Sequence, residues 1–387
     1  MNSELGASAR LHMTSAELNR RKVRLAGVFL LALTLFSSFG APQLVWFVRD
    51  RHQDFFAFYH GAELVRAGQV AELHDLHPPF EWLLFVPLTY LSYLPAYLVW
   101  TFLNVVMMTL SLGMLRKTFA ETQRLSPLFL ILSVAAFAPA VRALIQGQDS
   151  VLLLLLVTLS LFLLARSRLV LAGAVLACGL FKFHLVLPLA LVLAVRRPRL
   201  LLGLFPVAAV LLAIWATMTG WHGIADYGHL TAYTETHGAA GTRISAMPNL
   251  RGLIAELAGK SEGTSGTLLA IVSATAALGI ALWEVGRRAT GTRFAFAVAI
   301  VTCILVGYHA VIHDLTLLLP VVLMLFSAPG AATRSEMRSD TALLVVVYAS
   351  LFLGSWVWPA LNPWWWIPIV VWIYRKYGHG DVAVPVA

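Results

Sequence analysis

Long apolar runs alternate along this chain with short polar segments that carry most of its charge. Val23–Phe47, Ala96–Leu115 and Leu200–Met218 approach or exceed the roughly 20 residues that a helix needs to cross a bilayer. Hydrocarbon offers no partner for a backbone amide or carbonyl, so such runs form helices, which satisfy their own backbone. The pattern predicts an all-α polytopic membrane protein of about 12 transmembrane helices. The spans fall near 23–47, 96–115, 127–142, 150–165, 168–182, 184–195, 200–218, 266–285, 294–312, 314–328, 341–358 and 363–374. The run Val23–Phe47 is long for a signal peptide and lacks a small-residue cleavage pattern, so it is expected to be a retained first span.

One segment disturbs the alternation. If Pro79–Leu94 crossed, then Arg116, Lys117 and every later basic cluster would stand opposite the N-terminal Arg20, Arg21 and Lys22. Read instead as a re-entrant or interface-lying helix ended by Pro95, it leaves both termini in the cytoplasm. Most of the 28 Lys and Arg then lie inside, as the positive-inside rule requires. Most of the 19 acids and 12 histidines lie outside. The expected organisation is a disordered cytoplasmic segment over 1–22, a single transmembrane domain over 23–376 and a cytoplasmic tail over 377–387. Its first outer loop spans 48–95 and its second 219–264. No internal repeat is visible.

Composition agrees with the pattern. Hydrophobic residues make up 59% of the chain, charged residues 12%, and the mean hydropathy is +0.79. A net charge of +9 would suit a nucleic-acid partner if it formed a basic domain. Here it is scattered between apolar runs, so no nucleic acid is expected. Cys178 and Cys303 both lie inside apolar runs and read as buried thiols. Trp356, Trp358, Trp364, Trp365 and Trp366 read as an interfacial belt.

The candidate chemistry is concentrated in the first outer loop. Phe55, Phe58, Tyr59 and Ala62 recur at helical spacing, which predicts an amphipathic helix at the interface. Asp54 stands where that helix would be capped, so capping and catalysis are both open to it. Lys182 is an isolated cation between two short apolar halves, a costly placement without a partner. His309 and His313 have the i, i+4 spacing of a helical zinc pair, yet no accompanying glutamate or third ligand is evident. His313 is therefore read as a phosphate or pyranose contact. His74-Asp75-Leu76-His77 is read as closing a turn before Pro78, and no metal is expected. Gln148 and Asp149, at the outer end of a span, suit sugar hydroxyls or a polar helix end equally.

The run Asp54-Phe55-x-x-Phe58-Tyr59-x-x-Ala62-x-Leu64-x-x-x-Gly68, followed by Pro78-Pro79-Phe80-x-x-Leu83-Leu84-x-x-Pro87-Leu88, resembles glycosyltransferase family 87. Further pieces resemble it in the same order: Gly147-Gln148-Asp149-Ser150, Gly179-x-x-Lys182, Pro248-Asn249-x-x-Gly252 and His309-x-x-x-His313-Asp314. One departure is His77, where many members carry Tyr. The resemblance implies a GT-C-like bundle and a hexosyltransferase without cofactor, drawing on a polyprenyl-phosphate-sugar donor and a lipid or glycan acceptor among membrane lipids. It implies Asp54 as the general base, with inversion at the anomeric carbon and mannose favoured, on the extracytoplasmic face of the plasma membrane. Lys182, His313 and Arg251 are then the candidates for the donor phosphate. Tyr59, Glu63, His77, Gln148, His184 and His309 are the candidates for substrate contacts. A secondary transporter or lipid-linked-sugar flippase is the alternative reading.

Overall fold

A computed structural model describes residues 54–70, 77–123, 125–237, 243–258, 264–287, 291–327 and 334–377, with single helical positions at 27, 30 and 34. The expected segment 1–22, most of the span 23–47, the cluster His74-Asp75-Leu76 and the tail beyond Tyr377 lie outside the described residues. The described elements are helices, and no strand occurs among them.

The first outer loop folds as α1 (Phe55–Arg66), α2 (Pro79–Trp82) and a 3-10 turn at Val86–Tyr90. The spacing read from sequence holds in α1: Phe55, Phe58, Tyr59 and Ala62 are buried, while Phe56 and His60 face outward. They join Trp82, Phe85, Tyr93, Tyr97 and Trp100 in one aromatic cluster. Phe58 stacks on Phe85 with centroids 4.7 Å apart, and Trp82 lies so close to Gly61 that a Cβ there would meet the indole at 2.8 Å. The single helix expected over 79–94 is broken. Pro87 has no amide proton to continue a helical ladder, and the segment tightens into the 3-10 turn.

The chain then enters α3 (Tyr93–Thr118), which is long and apolar enough to cross a membrane. The expected span 127–142 is instead two helices, α4 (Pro127–Ala135) and α5 (Ala138–Gln146), meeting at 69°. Pro139 lacks the N–H that a continuous helix would donate to Ala135. Next come α6 (Ser150–Ala165) and α7 (Leu169–Ala177). A 3-10 turn at Leu180–Lys182 then leads into α8 (Phe183–Ala194), bent 65° from α7. Helix α9 (Leu201–His237) is two helices joined across a kink at Gly220, whose φ of 69° is not helical. The break falls beside the expected span end at 218, and the second outer loop starts as helix. That loop also holds a 3-10 turn at Ile244–Ala246 and α10 (Leu250–Leu257). The remainder is α11 (Thr264–Arg287), α12 (Thr292–Val306), a 3-10 turn at Ile312–Leu317, α13 (Leu318–Ser327), α14 (Arg334–Trp356), a 3-10 turn at Pro359–Trp364 and α15 (Trp366–Tyr377).

By length and composition, four described helices can cross a membrane, or up to six if each bent pair is one span. Several of the twelve expected spans are shorter apolar helices: α6, α12 and the unit Ile312–Ser327. Their apolarity has another cause. Residues Leu318 to Leu325 are all buried by neighbouring helices, as expected for core segments below spanning length. The long helices instead present Phe102 and Val105 of α3, Phe205 and Val210 of α9, and Leu268 and Val272 of α11 to the outside. This is a lipid-facing surface around a packed interior. Where α7 crosses α9, backbones touch: a Cβ on Gly203 would lie 1.8 Å from the Val170 carbonyl oxygen, and one on Gly173 equally close to that of Leu200.

Basic side chains gather where helices end away from the first loop. Arg196 donates to the Val285 carbonyl, Arg197 to Thr292 Oγ1, and Arg293 sits over the Phe119 ring. The opposite end of the bundle carries the site described next.

Candidate active site

Asp54 precedes α1, but its carboxylate does not cap the helix, and its own backbone is helical at φ −62°, ψ −24°. The capping role left open by the sequence is thus not the one its side chain plays. Its Oδ2 instead accepts a short hydrogen bond from Gln148 Nε2 and lies 4.0 Å from His313 Nδ1. The side chain keeps about 40% exposure, all that a reacting group needs to meet a ligand. It opens on a cavity of about 440 Å³ whose wall includes His77, Arg142, Gln148, Lys182, His309 and His313. Burial raises the Asp54 carboxyl above its ordinary 3.8. The Gln148 hydrogen bond and the charges of Arg142, His77 and Lys182 offset part of that rise.

The loop Gly147-Gln148-Asp149-Ser150 is held where Asp54 needs it. Gly147 ends α5 in the left-handed region at φ 64°, and a Cβ there would strike Phe55 Cβ at 2.7 Å. Trp100 Nε1 donates to the Gly147 carbonyl and Tyr97 Oη to that of Ile145. Aromatic groups of α3 therefore pin the loop from one side and α1 from the other.

Lys182 lies beneath this loop, almost fully buried. Its Nζ is 2.6 Å from Asp314 Oδ1, 2.8 Å from Asp149 Oδ1 and 2.8 Å from Ser150 Oγ. Ser150 and Asp314 accept hydrogen bonds from the ammonium, and Asp149 pairs with it as an ion. Asp314 also takes the Ser150 hydroxyl on Oδ1 and the Val311 amide on Oδ2, tying the 3-10 turn that bears His313 to α6. His313 Nδ1 lies 3.3 Å from Gln146 Oε1.

His309 occupies a turn after α12 and His313 the following 3-10 segment. The two are therefore not on one helical face, and the premise of a helical zinc pair falls away. Asn249 explains the Pro248-Asn249-x-x-Gly252 piece. It caps α10 through the Gly252 amide and donates to the Gly307 carbonyl, fixing the turn that holds Tyr308 and His309. Arg251 donates to the Tyr308 carbonyl at 3.3 Å, behind that turn.

Of the residues expected from sequence, Asp54, His77, Gln148, Lys182, His184, His309 and His313 line the cavity. Tyr59, Glu63 and Arg251 are not part of its wall. Tyr59 Oη donates to the Leu91 carbonyl inside the aromatic cluster, and Glu63 faces His60 at 3.8 Å on the outer side of α1. Sequence reasoning passed over Arg142, Arg243 and Glu81. Arg142 and Arg243 line the cavity. Arg142 is anchored through Nη1 on the Ser355 carbonyl and packed over Trp356. Both Arg142 and Glu81 sit inside apolar runs, where an ionisable residue is a functional signal in itself. Glu81 is 1% exposed, its Oε2 2.7 Å from His77 Nδ1. Burial pushes its carboxyl well up, and the neighbouring Asp149 adds to the effect.

The arrangement can accept a proton at Asp54 and meet an anion with Arg142, Arg243 and His313 across one cavity. Comparison with known proteins fits this chemistry: the sequence model of glycosyltransferase family 87 matches residues 76–312, well over half of the 387 residues. No curated protein and no solved structure matches the chain.

Proposed function

Because the chain belongs to glycosyltransferase family 87, we propose that it is an inverting hexosyltransferase that moves a sugar from a polyprenyl-phosphate carrier to a lipid or glycan acceptor. Mannose is the favoured sugar, and the extracytoplasmic face of the plasma membrane the favoured side. The observation that carries this reading is the placement of Asp54: a carboxylate that does not cap its helix, open to the cavity and aimed by Gln148.

In the proposed reaction the acceptor hydroxyl gives its proton to Asp54 as its oxygen forms a bond to the anomeric carbon. The bond from that carbon to the phosphate oxygen breaks, and its electron pair leaves on the polyprenyl phosphate. A raised carboxyl is the stronger base, provided it is ionised at the working pH. The developing phosphate charge is met by Arg142, Arg243 and His313 on one wall of the cavity. Lys182, buried beneath the loop, contributes its charge and holds Asp149 and Asp314 in place. His77, His184 and His309 remain as contacts for sugar or acceptor.

The test is Asp54→Asn, with transfer followed from labelled polyprenyl-phosphate mannose, and glucose and arabinofuranose donors run in parallel. Turnover should fall by about 10²–10⁴-fold, the usual worth of a general base, while donor lipid still binds. Near-normal transfer by this variant sinks the assignment of the base.

A further inference from the structure

We propose that His77, Glu81 and Asp149 form a binding site for one divalent metal ion at the edge of the cavity that holds Asp54. The three residues come from separate places: His77 from the segment before α2, Glu81 from α2 itself and Asp149 from the residue preceding α6. Each brings a ligand atom to within 4.8 Å of the other two. One imidazole nitrogen and two carboxylate oxygens is a donor set suited to Mn²⁺ or Zn²⁺.

The second line of argument is the state of the carboxylates. Glu81 and Asp149 are each 1% exposed. Glu81 Oε1 and Asp149 Oδ2 nevertheless have no donor from any other residue, and the two carboxyls face each other. Asp149 precedes a helix whose free amides would welcome it, and its side chain makes no cap bond. A buried carboxylate oxygen with no donor is costly, by several kcal/mol in general. The nearby cation does not remove that cost. Lys182 holds the other oxygen of Asp149 and is shared with Asp314, while Glu81 has His77 beside it. With Glu81 ionised, three enclosed carboxylates (Glu81, Asp149 and Asp314) stand around one ammonium, an excess of negative charge that a proton on Glu81 or a bound cation removes. A divalent cation between Glu81 and Asp149 satisfies both orphaned oxygens at once.

Three protein ligands leave coordination positions vacant. His77 lines the cavity, so those positions face the space that a ligand would enter. Their use, taking a phosphate oxygen of the donor and adding Lewis-acid stabilisation of the leaving group, rests on the function proposed above. Binding of the ion does not, because it follows from the cluster alone.

The experiment uses the full-length protein in detergent, stripped with chelator and titrated with MnCl₂ in the absence of donor and acceptor, free Mn²⁺ being read by electron paramagnetic resonance. One Mn²⁺ per chain is expected, with affinity reduced by more than about 100-fold in Glu81→Gln, since even outer-shell changes cost 10–100-fold. His77→Gln, at a side chain one-quarter exposed, is expected to show the same loss and serves if Glu81→Gln does not fold. His60→Gln, on the outer side of α1, should bind as wild type. Absence of stoichiometric binding in the wild type overturns the proposal, as does binding that His77→Gln leaves unchanged. A chain that binds Mn²⁺ yet transfers no sugar keeps the metal site and overturns the functional reading, and the reverse result overturns the metal site alone.

Discussion

Gln148 sets how readily Asp54 releases its proton. Its amide favours the carboxylate and opposes the larger effect of burial. Because the carboxyl stands above its ordinary value, the base form is reached only as pH rises through that raised pKa, and transfer should decline as pH falls. Gln148→Leu removes a lowering influence, so the acid limb of kcat/KM should move to higher pH. The shift should be about one pH unit, on the order of one charge-assisted hydrogen bond. A limb that stays in place, or moves to lower pH, would detach Gln148 from the titration of Asp54. The place of Asp54 on the cavity wall could be anticipated from its motif and from the aromatic spacing behind it. Its partner could not, because 94 residues of chain separate the two. Arg142 was hidden within an apolar run, where hydropathy alone does not single it out.

At the level of helices, the bundle depends on a few points where backbones meet directly. Gly203 of α9 is buried against α7, and any Cβ there collides with the Val170 carbonyl oxygen. Gly203→Val should lower the midpoint of thermal unfolding in detergent, since overpacking costs about 1–3 kcal/mol and here the obstacle is backbone. Gly113→Val is the control: α3 is open there, with nothing within 4 Å of the new Cβ, and no loss is expected. Equal midpoints for the two variants would show that the α7–α9 contact is not a tight one. Spanning helices such as α3 and α11 were readable because length and apolarity together leave few alternatives. The shorter runs were not, since a core helix wrapped by its neighbours and a lipid-facing helix share one composition. The breaks at Pro139 and Gly220 come from a missing amide proton and a positive φ, which a hydropathy pattern does not weigh.

Across the whole molecule, polarity is divided between two ends. Asp54 contacts Gln148 at the start of α6, and the 16 residues of that helix, rising about 1.5 Å each, carry the chain to exposed Arg166 at the far end. The proposed orientation puts the first end outside the cell and the second in the cytoplasm. Single cysteines at His60 and Arg166, in a Cys178→Ala background, should therefore label from opposite sides with a membrane-impermeant maleimide. Labelling of Arg166→Cys from outside, or of both from one side, would reject this topology. Charge placement is what suggests this orientation, because each cluster of Lys and Arg constrains the span beside it. What charge placement does not convey is the depth at which short helices lie.

The anchoring of Arg142 on the Ser355 carbonyl has a consequence for how the protein comes into being. Gly354, Ser355, Pro359 and Asn362 form part of the cavity wall, more than 200 residues downstream of Gln148. A nascent chain that has already threaded its first helices through the translocon still has a cavity lacking one side and an arginine without its anchor. The chamber is completed only when the chain as far as Asn362 has left the ribosome, so synthesis interrupted before that residue yields a membrane-inserted fragment with an unfinished pocket.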